Sequence, residues 1–119
     1  MDCKILGKNN DIALIKPDAV ISDASAATDA VMTAKYESGC SKFIFEKSCF
    51  SNEFFILSSG IAGEIFQKFI NYRIKAAIVG DYSKYTSKPL KDFIYESNNG
   101  KDFFFVATID EAVEKLNNL

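Results

Sequence analysis

Three short runs of uninterrupted apolar residues constrain this chain more than any other feature. They are Phe43-Ile44-Phe45, Ala76-Ala77-Ile78-Val79 and Phe103-Phe104-Phe105-Val106. A strand with one wet face alternates apolar and polar residues, whereas a strand covered on both faces does not. Such runs are expected where helices shield both sides of a parallel sheet. Ala76–Val79, followed by Gly80-Asp81, reads as a central strand. Upstream, Cys3-Lys4-Ile5-Leu6 and Ile12-Ala13-Leu14-Ile15 flank Gly7-Lys8-Asn9-Asn10-Asp11, whose residue types suit a turn, so this part reads as a β-hairpin ended by Pro17-Asp18.

Between the runs the period changes to that of a helix. Ser22 is the expected N-cap of the first helix, with Asp23 in its first turn, Ala26, Ala27, Ala30, Val31 and Ala34 on its inner stripe, and Gly39 as its stop. Ser51 to Leu57 is expected to be an extended loop or a single turn. Ile61, Ile65, Phe66, Phe69 and Ile70 mark a second helix. Ser87 and Pro89 open a third, with Leu90, Phe93, Ile94 and Ser97 on one face and Asn99-Gly100 at its end. Thr108-Ile109-Asp110-Glu111 is a capping box that starts the last helix, with Ala112, Val113 and Leu116 inward. The order β-β-α-β-α-β-α-β-α predicts a single α/β domain over residues 1–119, a mostly parallel five-strand sheet with an N-terminal antiparallel hairpin and right-handed crossovers.

Composition excludes several functions. A formal net charge of −2 lacks the basic footprint of a nucleic-acid binder, so no nucleic-acid partner is expected. The absence of histidine removes Ser-His and Cys-His nucleophile pairs and the usual His-containing zinc sites. No metal and no cofactor is expected. Cys3, Cys40 and Cys49 are an odd number without C-x-x-C spacing, which fits thiols in a reducing cytosol. With no signal-like start and no apolar segment of spanning length, the expectation is a soluble cytoplasmic protein without a membrane partner.

In a parallel α/β sheet, ligands bind beyond the carboxyl ends of the strands. Three loops lie there: Glu46-Lys47-Ser48-Cys49 through Ser58-Ser59-Gly60, then Gly80-Asp81-Tyr82-Ser83-Lys84-Tyr85-Thr86-Ser87, and the segment near Thr108. Small residues in Ser58-Ser59-Gly60-Ile61-Ala62-Gly63 leave free N–H groups at a helix start, where an anion or a phosphoserine would be stabilised. The spacing matches neither the P-loop nor the dinucleotide glycine pattern, so an ordinary N-cap is the plainer alternative. Asp81, Tyr82, Ser83, Lys84 and Tyr85 offer acid–base groups, although a solvated turn with packed tyrosines explains them as well. Glu46 and Lys47 could form a weak ion pair at a strand end, and Glu46 with Asp81 a carboxylate pair for a metal. Cys49 beside Lys47 is either a lowered-pKa thiolate or a small buried filler. Arg73, the only arginine, either clamps an anion or neutralises the end of the preceding helix. Phe54-Phe55 and Phe103–Phe105 could reach the surface and hold a homo-oligomer, or simply fill the core.

Two resemblances bear on these residues. The element order is similar to that of STAS domains, the anti-sigma-factor antagonist family, and Phe43-Ile44-Phe45 through Phe54-Phe55-Ile56-Leu57-Ser58-Ser59-Gly60-Ile61-Ala62-Gly63 resembles the strand, loop and D-S-S-G-L-G-like helix start of that family. The resemblance implies a serine phosphorylated by a partner kinase, which would be Ser58 or Ser59; Leu57 stands where that family has its aspartate. A second resemblance covers nearly the whole chain. Leu57 through Phe69, Ala77 through Ser83 and Leu90 through Asn98 are similar to the bacterial domain-of-unknown-function family numbered 4180. It implies a small bacterial cytosolic protein and no established activity.

The resulting expectation is a STAS-like, non-enzymatic regulatory or binding module. Its working residues would be Ser58, Ser59, Gly60, Glu46, Lys47, Asp81, Tyr82, Ser83 and Tyr85, and its partner a protein, a kinase or an anionic small molecule. The alternative is a small enzyme or nucleotide- or anion-binding protein using the same pocket.

Overall fold

The computed structural model describes residues 1–119. Strands β1 (Asp2–Leu6) and β2 (Ile12–Lys16) form the antiparallel hairpin, and β3 (Lys42–Glu46), β4 (Lys75–Val79) and β5 (Phe103–Val106) continue from β2 in parallel, so the five-strand order is β1-β2-β3-β4-β5. Helices α1 (Ala24–Ser38), α2 (Ile61–Asn71) and α3 (Lys88–Asn98) make the three crossovers, and α4 (Ile109–Asn117) follows the last strand. Crossovers of one hand, stepping in one direction across the sheet, must all lie on the same face. Accordingly α1, α2 and α3 share one core of 22 buried residues with Phe43, Phe45, Ala76, Ile78, Phe103 and Phe105, while α4 covers a core of eight on the other face.

The register explains why the apolar runs are tolerated. Ala13, Phe43, Ala76 and Phe103 lie in one row across the sheet, alternating small and large, and Ile15, Phe45, Ile78 and Phe105 form the next row on that face. The intervening row, Leu14, Ile44, Ala77 and Phe104, points the opposite way into the α4 core. Both faces are thus dry at β3, β4 and β5.

Local details depart from the sequence expectations in two places. Asp23, not Ser22, caps α1: its carboxylate accepts the Ala26 N–H at 2.7 Å, a carboxylate being the stronger acceptor for a helix start. Ser51 to Leu57 is not extended, because Asn52–Phe55 and Leu57–Ser59 are successive 3-10 turns that bury Phe54 and Phe55. Arg73 closes α2 through its backbone. It adopts the left-handed conformation (φ 58°), its N–H donating to the Ile70 carbonyl at 3.1 Å and that of Ile74 to Phe69 at 2.8 Å. Of the two readings of the phenylalanines, the structure shows core filling: ten of the eleven are buried and Phe93 is half-buried.

Beyond the end of β3 the chain bends back beside the β2–α1 connection. Ile21 donates to the Cys49 carbonyl at 2.7 Å and accepts from Ser51 at 2.9 Å, an isolated parallel bridge that fixes the loop after β3. No helix is long and apolar enough to cross a membrane.

Candidate functional site

A cleft of about 590 Å³ opens over the carboxyl ends of β3 and β4. Glu46, Lys47 and Ser48 enter it from β3, Val79 and Gly80 from β4, and Asn52, Phe55 and Tyr85 from the two flanking loops. A second cleft of about 600 Å³ adjoins it across the Phe55–Tyr85 stack and is lined by Ser58, Lys84, Tyr85, Thr86 and Ser87. On the β2 side, Glu46 and Ser48 are shared with a smaller recess that Lys16 and Asp18 enter. The groove therefore tracks the carboxyl ends of the parallel strands, where α/β sheets place ligands.

Lys47 is fixed by the residues around it. Its ammonium lies 4.4 Å from the Tyr85 ring centroid, 5.5 Å from Phe55 and 5.9 Å from Tyr82. It also donates to the Asp81 carbonyl at 3.2 Å. Cation–π attraction to three rings holds a charge in place without neutralising it. The stem of Lys47 passes where a side chain on residue 80 would be: a Cβ on Gly80 would lie 2.6 Å from Lys47 Cβ. Gly80 is thus a requirement of the lysine's path, not of backbone angle.

The Asp81–Tyr85 loop forms the cleft wall opposite β3. The Asp81 carboxylate accepts the Ser83 N–H at 2.9 Å, and hydrogen bonds from Ser83, side chain then backbone, hold its carboxyl below the usual range. It is an exposed turn-closing group, and no three Cys, Asp or Glu side chains converge on a metal position. Tyr82 donates its hydroxyl to the Ile78 carbonyl at 2.8 Å, and burial pushes its phenol far above its ordinary value. Tyr82 therefore braces the loop; it does not exchange protons near neutrality. Tyr85 stacks on Phe55 with centroids 5.4 Å apart.

The serines differ from each other. Ser59 donates its hydroxyl to the Glu53 carbonyl at 2.7 Å and accepts the Ile61 N–H at 3.3 Å, so it is occupied in closing the last 3-10 turn and opening α2. Ser58 is exposed on the lip of the second cleft. Gly60 adopts φ 80° at the N-cap of α2. Burial raises the Cys49 thiol, the opposite of an activated thiolate, and the Lys47 ammonium is directed to the Asp81 carbonyl.

Of the residues singled out from sequence, Glu46, Lys47 and Tyr85 share the first cleft, Ser58 and Tyr85 the second, and Ser59, Gly60, Asp81, Tyr82 and Ser83 support their walls. Ser48, Phe50, Asn52, Phe55, Val79 and Gly80 also line the first cleft and were not singled out as working residues. Gly80 carried a signal, a glycine directly after a buried strand. Asn52 and Phe55 lay within a loop expected at the strand ends, but only the 3-10 turns bring their side chains to the cleft.

A single α/β domain, with a mixed sheet and a groove across the carboxyl ends of its parallel strands, is the class of protein these features define. The chain belongs to the family described as "Domain of unknown function (DUF4180)", whose model matches residues 7–116. No curated protein and no solved structure matches it.

Proposed function

We propose that this protein is a cytoplasmic, non-enzymatic binding module of regulatory type, working through the groove between the Ser58–Gly60 helix start and the Asp81–Tyr85 loop. The observation that carries this reading is the groove itself. Two clefts of about 590 and 600 Å³ meet at a fixed aromatic pair, within the size range of ligand sites. The candidate acid–base groups point away from catalysis. Asp81 closes a turn, Tyr82 is locked to a carbonyl, and Cys49 is raised rather than activated. On this reading the STAS-like element order extends to the use of the same surface. Ser58, exposed on the lip of the cleft that Lys84 also lines, is the serine a partner kinase would reach.

The test is native mass spectrometry of the protein isolated from its own cells, beside Ser58→Ala and Tyr85→Ala variants. The expected result is an occupant, a phosphoryl group or a protein partner that the wild type retains and at least one variant loses. Bare protein in every case, or an occupant that the protein converts to a product, would overturn the reading. Conversion abolished by Asp81→Asn would establish the enzymatic alternative.

A further inference from the structure

Half-buried charges are costly unless they are paired, and the whole chain has six such side chains: Asp11, Lys42, Glu46, Lys47, Lys75 and Asp102. Asp11 pairs with Lys42 at 3.2 Å, and Lys75 pairs with Asp102. Glu46 and Lys47 are the two left over; neither takes part in an ion pair, and both line the same cleft. They are adjacent in sequence and do not satisfy each other, because β3 ends between them. Glu46 is the last residue of the strand, in register with Val79, while Lys47 starts a 3-10 turn and lies over Gly80 into the aromatic cage.

Each leftover charge has a defined surrounding. One donor of the Lys47 ammonium serves the Asp81 carbonyl, which leaves two for a ligand in the cleft. The Glu46 carboxylate, with acceptor-only oxygens, faces the same space and the recess toward Lys16. Phe50, Phe55 and Tyr85 supply the apolar part of the same lining, beside Ser48 and Asn52. A ligand with one charge would satisfy one of these residues and leave the other stranded.

We propose that this cleft takes a small zwitterion with an apolar side chain, an α-amino acid or a short peptide with free ends. Its carboxylate is held by Lys47, its ammonium by Glu46, and its side chain packs on the Phe55–Tyr85 stack. The proposal rests on the groove being a binding site and adds the chemical class of what it binds.

The probes are L-phenylalanine and L-leucine against N-acetyl-L-phenylalanine, which lacks the cation, and L-phenylalaninamide, which lacks the anion. Binding is followed by calorimetry and by amide shifts in the full-length protein. The zwitterions are expected to move the amides of Lys47, Ser48, Gly80 and Tyr85, and each capped derivative to bind about tenfold or more weakly. Lys47→Met and Glu46→Gln should each cost the zwitterion a similar factor. Glu46→Gln should leave the N-acetyl derivative unaffected, and Lys47→Met should leave the amide unaffected. A merely structural role for either residue would not produce that crossed pattern. Equal binding of the capped derivatives, or binding of the N-acetyl derivative alone, overturns the proposal while the groove stands as a binding site. No shift with any probe, while native mass spectrometry shows a retained occupant, overturns it in the same way. No shift and no occupant overturns both.

Discussion

The shape of this cleft depends on single residues. Gly80 is where an ordinary substitution has an unusual cost, because an added methyl meets the Lys47 stem at its Cβ and not at a mobile tip. Gly80→Ala is expected to destabilise the protein by about 1–3 kcal/mol in urea unfolding, as overpacking does, and to displace Lys47 from the cage. Arg73 stands at the opposite extreme. It occupies a left-handed C-terminal helix position that suits glycine, so Arg73→Gly should stabilise by about 0.5–1 kcal/mol in the same assay. Cys49 has a pH signature. Burial raises its thiol in the folded state, so the neutral form is favoured and its contribution is intact below about pH 8.5. Above that, the unfolded chain ionises first and stability falls. Alkylation of Cys49 at pH 8 should accordingly be slower than that of a free cysteine, followed by peptide mapping.

At the scale of elements, the edges of the sheet are handled differently. β5 is an edge strand made only of buried apolar residues, the sort of edge that invites pairing with another chain. Asn98, at the end of α3, closes it. Its side-chain amide donates to the Phe105 carbonyl at 3.1 Å, and its carbonyl oxygen accepts the Phe105 N–H at 2.7 Å, as a neighbouring strand would. Asn98→Ala should cost about 1–3 kcal/mol, the penalty for stranding two backbone groups, and raise the tendency to associate in sedimentation. α2 is ended by hydrogen bonds of Arg73 and Ile74, while the hairpin is tied to α4 by the Lys8 N–H donating to Asn117 at 3.3 Å. The last contact joins the two ends of the fold.

For the whole molecule, the unequal covering of the sheet matters most. Three helices share one face and α4 alone protects the other, over Ile12, Leu14, Ile44, Ala77, Phe104 and Val106. Leu116 is fully buried in that single contact, so Leu116→Ala should cost about 2–5 kcal/mol in thermal or urea unfolding. The groove lies at the carboxyl ends of the strands, between the loops that feed α2 and α3. An altered Leu116 should therefore weaken folding before it alters the lining of the groove.

The amino-acid sequence by itself determined the element order, because each dry strand and each amphipathic helix writes its own local period. It also placed the N-caps of α3 and α4, at Ser87 and Thr108, where side-chain oxygens accept the Leu90 and Glu111 N–H groups. Glu46, Lys47, Ser58 and Tyr85 could be picked out as polar or aromatic residues following strands. Only the tertiary structure decided which of them share a space. Phe55 reaches Tyr85 because two 3-10 turns fold it back, and Lys47 reaches three rings because Gly80 lets its stem pass. It also decided which charges are paired. An ion pair depends on side chains distant in sequence, and Asp11 finds Lys42 and Lys75 finds Asp102 while Glu46 and Lys47, adjacent in the chain, are turned apart by the end of a strand.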